Sequence, residues 1–86
     1  MEGKIIYDWE EFKKELKNLE NPKMYINTET TEKGNVLRIY AETEDVVLIF
    51  EANDLDIRKW EKQLSLLGFE YKYGESPVKI VKREEL

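Results

Sequence analysis

The side chains that could do chemistry in this chain are carboxylates, amines, hydroxyls and aromatic rings, because its 86 residues include no histidine and no cysteine. The chain therefore lacks an imidazole base, a thiolate nucleophile and the soft ligands that zinc or copper prefer. A hydroxyl such as that of Ser65 has no histidine to activate it as a nucleophile. The composition predicts a protein without catalytic residues, cofactors or a bound metal.

One pattern of two carboxylates and an amine is typical of metal-dependent nucleases. Asp54, Glu70 and Lys72 stand in the order D…E-x-K. In such a site the carboxylates would bind Mg²⁺ and the lysine would stabilise the attacking water or the developing charge. The same order arises by chance in a chain rich in Glu and Lys, and Asp54 is also a candidate helix cap. We therefore rank a nuclease well below a binding function.

The charge balance argues against a nucleic-acid partner. The chain has 14 Lys and Arg residues against 19 Asp and Glu residues, with a net charge of −5. Proteins that bind the phosphate backbone rely on clustered cations, which this chain does not offer. Tyr25, Arg38 and Tyr40 could stack bases as RNA-binding sheets do, yet the glycine-and-aromatic RNA-recognition signature is absent.

Length and hydrophobic content predict a single folded domain over residues 1–86. Hydrophobic residues make up 41% of the chain, enough for one core, whereas the length is too short for two. The segment Lys4-Ile5-Ile6-Tyr7 is followed at once by Asp8, so we expect neither a signal peptide nor a membrane span. A cytoplasmic location is the resulting expectation. Heavy use of Glu and Lys, with a single Gln, predicts a thermophilic source.

Two segments predict amphipathic helices with the same spacing of apolar residues. The first runs from Asp8, its N-cap, to Glu20. The second begins after Asn53 or Asp54 and ends at Gly68, since glycine favours the left-handed conformation at a helix end. Apolar side chains recur in both at intervals of three, four and three residues, which places them on one helix face. The predicted core residues are Trp9, Phe12, Leu16, Ile57, Trp60 and Leu64.

Six further segments have the residue pattern of strands. Most alternate apolar and polar residues, and Val46–Ala52 begins with residues that are apolar on both faces, which predicts a central strand. The short segment Lys4–Tyr7 either adds a first strand or remains an arm. The predicted strands are Lys4–Tyr7, Lys23–Thr30, Val36–Glu42, Val46–Ala52, Phe69–Tyr73 and Val78–Arg83.

The order of the elements, β-α-β-β-β-α-β-β, predicts an α+β fold. We expect a two-layer sandwich in which a mostly antiparallel sheet carries both helices on one face. The two strand–helix–strand passages could be right-handed crossovers, which would give a ferredoxin-like topology with extra strands. If Lys4–Tyr7 is only an arm, an α-β-β-β-α-β-β sandwich remains. Such a topology predicts no function by itself.

The sheet face turned away from the helices is the best candidate for a binding surface. An open sheet face in water should be polar, whereas this one is largely aromatic and aliphatic, and exposed apolar surface usually marks an interface. The alternative is that the tail from Val78 to Leu86 folds over it. Alternation of side chains places on this face Tyr25, Val36, Arg38, Tyr40, Val47 and Ile49.

We therefore predict a small non-enzymatic domain that works through protein contact, as a homodimer formed through this face. Aromatic and aliphatic burial would supply the affinity, and Arg38 with rim carboxylates would set the register. The alternative is a small-molecule-binding regulatory module, of the kind built on ferredoxin-like folds, with its site at a strand or subunit edge. The predicted interface residues are Tyr25, Arg38, Tyr40, Val47 and Ile49.

Overall fold

The computed structural model describes residues 2–74, which form a five-stranded sheet and two helices in a small α+β fold. Met1 and residues 75–86 lie outside the described residues, and with them the predicted strand Val78–Arg83. The elements are β1 (Glu2–Ile6), α1 (Trp9–Leu16), β2 (Lys23–Thr31), β3 (Gly34–Glu42), β4 (Val46–Ala52), α2 (Ile57–Leu66) and β5 (Tyr71–Tyr73).

The sheet is mixed, with the strand order β1-β4-β3-β2-β5. β3 runs antiparallel to β2 and β4, whereas β1 pairs with β4 and β5 pairs with β2 in parallel. The prediction of a mostly antiparallel sheet is therefore corrected. Each helix returns the chain to the end of the sheet at which the preceding strand began, so the strand after the helix runs parallel to the strand before it. The ferredoxin-like topology is not confirmed by this strand order.

The amino-terminal segment is a strand of the sheet and not an arm. Lys4 pairs with Leu48 of β4, and Ile6 pairs with Phe50. Ile6 is only 2% exposed and belongs to the main core. The edge strand β1 is thus held to the sheet by its pairing with β4 and to the main core by the buried side chain of Ile6.

The first helix begins where the sequence predicted and ends earlier. Asp8 accepts a hydrogen bond from the backbone N–H of Glu11 at 3.0 Å, which confirms it as the N-cap of α1. The helix ends at Leu16 instead of continuing to Glu20. The backbone N–H groups of residues 18–19 bond to carbonyls three residues back, so the chain tightens into 3₁₀-type turns there.

The second helix has a different cap from the one predicted. Asp56, and not Asn53 or Asp54, is the N-cap of α2. The carboxylate of Asp54 instead accepts a hydrogen bond from the backbone N–H of Asp56, which forms a turn just before the helix. Gly68 follows the helix end as predicted, with a left-handed φ of +85°.

Both helices pack on one face of the sheet and form the main core with it. The ring centroid of Trp9 lies 5.0 Å from that of Phe50 and 5.3 Å from that of Trp60, in the edge-to-face arrangement that aromatic pairs prefer. This aromatic cluster ties α1 and α2 to β4. Of the predicted core residues, the structure buries Phe12, Leu16, Trp60 and Leu64 and partly buries Trp9 and Ile57.

Two leucines of α2 offer a matched test of this core. Leu64 is 0% exposed, whereas Leu66 is 70% exposed on the same helix. We expect Leu64→Ala to lower the free energy of unfolding by about 2–5 kcal/mol, because it leaves a cavity. Leu66→Ala should change it by less than about 0.5 kcal/mol. Urea denaturation measures both values, and equal losses would mean that α2 packs through another face.

Candidate functional site

The five predicted interface residues lie on the sheet face opposite to the helices, which we call the second face. Tyr25 of β2 pairs with Tyr40 of β3, which in turn pairs with Ile49 of β4. Arg38 and Val47 lie two residues from Tyr40 and Ile49 along the same strands, so alternation places them on the same side. The structure therefore brings all five residues together. Their contact with a partner stays a prediction.

The centre of the second face is buried within the chain. Tyr40 and Val47 are 0% exposed and Ile49 is 1% exposed, and the three form a hydrophobic cluster separate from the main core. Ile5 and Tyr25 are partly buried against this cluster. The sequence led us to expect a face open to solvent, and for these three central residues that expectation is not met.

A network of buried charged groups lies beside this cluster. The guanidinium of Arg38 donates to Glu51 through Nε at 2.9 Å and through Nη2 at 2.8 Å, and to Glu29 through Nη1 at 3.1 Å. The hydroxyl of Tyr40 donates to the other carboxylate oxygen of Glu29. Glu29 and Glu51 are only 7% and 9% exposed. Carboxylates buried this deeply need such partners, because an unpaired buried charge is strongly destabilising.

The sheet register places these groups within reach of one another. Arg38 on β3 stands directly opposite Glu51 on β4, and Glu29 on β2 stands opposite Val36, two residues before Arg38. One cation on the middle strand therefore bridges carboxylates on both neighbouring strands. The network thus links β2, β3 and β4 on the second face.

The network also fixes the charge of Tyr40 and of Arg38 near neutral pH. Burial raises the pKa of the Tyr40 hydroxyl, and its hydrogen bond to Glu29 raises that pKa further, well above the usual value for tyrosine. Burial alone would lower the pKa of Arg38, but the hydrogen bond to Glu51 and the charge of Glu29 raise it above the usual value for arginine. Tyr40 thus stays neutral and Arg38 stays charged at physiological pH. Neither group is suited to general acid–base catalysis near pH 7.

Glu29 and Glu51 were not among the residues predicted for this face. Alternation of side chains along the strands could have assigned both residues to it. Glu29 lies an even number of residues from Tyr25, and Glu51 lies an even number of residues from Val47 and Ile49. Alternation assigns a side chain to a face but gives no register between strands. Which carboxylate would meet Arg38 therefore had to come from the structure.

The D…E-x-K pattern is not assembled into a site. Asp54 precedes α2 whereas Glu70 and Lys72 follow it, and the ends of a helix of this length are about 15 Å apart. The hydrogen bond from Lys59, at 2.7 Å, and that from the N–H of Asp56 lower the pKa of the Asp54 carboxyl. Among residues 2–74, no group of three or more potential ligand side chains is placed to hold a metal ion.

An aromatic cleft lies at the edge of the sheet where β1 and β4 lead into the helices. Its volume is about 420 Å³, and its walls combine Tyr7, Trp9 and Trp60 with the charged residues Lys33, Glu51 and Asp54. The indole N–H of Trp60 donates to the carbonyl oxygen of Asp54 at 3.0 Å. The indole Nε1 of Trp9 is buried and has no acceptor among residues 2–74. Aromatic walls with a few polar groups are typical of sites for small ligands.

Comparisons of the chain with models of protein families, with curated proteins and with solved structures found no match. Its function must therefore be argued from its own residues and geometry. Neither helix in the part of the chain that the structure describes is long and apolar enough to cross a membrane. The cytoplasmic location and the thermophilic source stay predictions.

The buried hydroxyl of Tyr40 predicts a specific loss of stability at alkaline pH. A pKa raised by folding stabilises the native state below the usual tyrosine pKa of about 10, and this contribution is lost as pH rises toward the folded-state pKa. Tyr40→Phe removes the hydrogen bond to Glu29 and should cost about 1.5–3 kcal/mol at pH 8. The difference from the parent should shrink by about 1 kcal/mol at pH 11.

Urea denaturation at pH 8 and pH 11 measures this change, and Tyr7→Phe is the matched control. Tyr7 is 62% exposed, so its substitution should leave the stability nearly unchanged at both pH values. A Tyr40→Phe difference that is the same at pH 8 and pH 11 would contradict the assigned environment of this hydroxyl.

Proposed function

We propose that this domain is a non-enzymatic protein-interaction module that self-associates through the second face of its sheet. The observation that carries the proposal is the second hydrophobic cluster, built from Tyr40, Val47 and Ile49 on the side away from both helices. Ile5 and Tyr25 continue this apolar surface and are only partly buried, so a partner could cover them.

The charged network beside the cluster supports a binding role in preference to a catalytic one. The guanidinium of Arg38 is held by Glu29 and Glu51, so its geometry is fixed before any partner arrives. Fixed charges around an apolar centre select a partner by its charge pattern and set its register. Apolar burial supplies the affinity, and the partly buried Ile5 and Tyr25 are the cluster neighbours nearest to solvent.

Charge substitution at the margin of the second face should weaken self-association. Tyr25 is partly buried at that margin, so Tyr25→Glu places a charge where a partner would bind while leaving the buried centre intact. We expect the dissociation constant of the dimer to rise by at least about tenfold, equivalent to about 1.4 kcal/mol. Light scattering behind a sizing column, over a range of protein concentrations, measures this change.

Tyr7→Glu is the matched control for this experiment. Tyr7 is 62% exposed, and it is not among the residues that pack against the second hydrophobic cluster, so this variant should associate like the parent. A parent protein that is monomeric at every concentration would overturn the proposal. Equal effects of the two substitutions would place the interface elsewhere.

A small-molecule-binding role is the second candidate, and the aromatic cleft favours it. The buried indole N–H of Trp9 lacks an acceptor among residues 2–74, and the cleft is bounded by aromatic rings, by Lys33 and by the acidic residues Glu51 and Asp54. A planar ligand that carries a hydrogen-bond acceptor matches the aromatic walls and the indole N–H.

Both tryptophans of the chain line this cleft, so their fluorescence would report a bound ligand directly. In a screen of amino acids and nucleotides we expect a ligand that changes this fluorescence and raises the unfolding temperature. At 100 times its dissociation constant it would add about 2.7 kcal/mol to the stability. Trp9→Phe retains a ring but removes the N–H, and should weaken binding. A screen without any such ligand would count against this role.

A further inference from the structure

The aromatic cleft is built where two parallel strands end. β1 and β4 are parallel neighbours, and Ile6 pairs with Phe50, so both strands end at the same side of the sheet. Tyr7 follows β1 directly, and Trp9 is the first residue of α1. Trp60 lies at the end of the first turn of α2, with its ring centroid 5.3 Å from that of Trp9. The strand ends and the helix starts therefore bring three aromatic rings to one cleft of about 420 Å³.

The carboxylates in the walls of this cleft already have partners within the chain. The carboxylate of Glu51 accepts two hydrogen bonds from the guanidinium of Arg38, at 2.9 Å and 2.8 Å. The carboxylate of Asp54 accepts one from Nζ of Lys59 at 2.7 Å. A positively charged ligand would therefore have to compete with the chain's own cations for these two groups.

The lysines near the cleft lie over its aromatic rings. Nζ of Lys59 is 4.8 Å from the ring centroid of Trp60, and Nζ of Lys33 is 6.0 Å from that of Tyr7. A cation at this distance from a ring face is attracted by the electron density of the ring. Both ammonium groups are thus engaged inside the chain, and neither is held ready for a ligand anion.

The indole N–H of Trp9 differs from these groups because it has no partner. Its Nε1 atom is the only buried side-chain nitrogen or oxygen atom among residues 2–74 that makes no hydrogen bond. The neighbouring Trp60 donates its own indole N–H to the carbonyl oxygen of Asp54 at 3.0 Å. Buried polar groups without a partner are rare and unfavourable. An acceptor on a bound ligand would remove this cost.

We propose that the aromatic cleft binds an uncharged heteroaromatic ring, of the chemical kind found in nucleobases, and that an acceptor atom of this ring bonds to the indole N–H of Trp9. The inference rests on the small-molecule candidate under the proposed function and names its ligand class. A nucleotide would bind through its base, and its phosphate would stay outside the cleft.

The pairing of the charged groups explains why the ligand ring is uncharged. A ligand anion inside the cleft would lie beside Glu51 and Asp54, and would lose its hydration without gaining a cation of its own. A ligand cation would have to displace a lysine from its ring. An uncharged ring gains contact with the aromatic walls and loses little on leaving water.

Four bicyclic probes of similar size test the ligand class in the parent protein. Benzimidazole has a ring nitrogen that accepts a hydrogen bond, whereas indole has no such acceptor. The carboxylate of benzimidazole adds a negative charge, and the dimethylbenzimidazolium ion adds a positive one. We expect benzimidazole to bind at least about tenfold more tightly than indole, and neither charged probe to bind more tightly than benzimidazole. Isothermal titration calorimetry above neutral pH, where benzimidazole is uncharged, measures the four dissociation constants.

Trp9→Phe tests the donor itself. This variant retains a ring in the cleft wall but removes the N–H, so the preference for benzimidazole over indole should fall to less than about twofold. Leu66→Ala is the control, because Leu66 is 70% exposed and does not line the cleft, and it should keep the full preference. A full preference in Trp9→Phe would overturn the assigned contact. If Trp9→Phe does not fold, the comparison of benzimidazole with indole in the parent decides alone.

The outcomes separate this inference from the proposed function. Indole that binds as tightly as benzimidazole, or a charged probe that binds more tightly, would overturn the ligand class and leave the small-molecule role in place. Absence of binding by every probe, and by every amino acid and nucleotide of the screen, would overturn both.

Discussion

The fold depends on a sheet whose central strands are buried on both faces. In β4, Leu48 and Phe50 face the helices, while Val47 and Ile49 form part of the second cluster. A sheet of this kind requires a layer on each side, because uncovered aliphatic and aromatic surface is unfavourable in water. The helices α1 and α2 provide one layer only. The need for a second layer therefore determines which surface of the domain is available for binding.

The ion network explains how such an apolar sheet keeps a single register. A slip of β3 by one residue would turn Arg38 from the second face into the main core, away from Glu29 and Glu51. Leaving three charges buried without partners would cost more than the lost apolar contacts. The network therefore penalises a pairing of β3 that is shifted by one residue. Its fixed charges then also present a defined pattern to whatever lies over the second face.

The local features of the fold could be predicted from the sequence more completely than its topology. Spacing of apolar residues located both helices, and alternation assigned Tyr40 and Val47 to one face and Phe50 to the other. Strand direction was not predictable in this way, since alternation is the same for parallel and antiparallel strands. The cap of α2 was misplaced because several acidic residues compete near its start, and only backbone geometry selects Asp56. Burial of the second face depends on long-range contacts that no local pattern encodes.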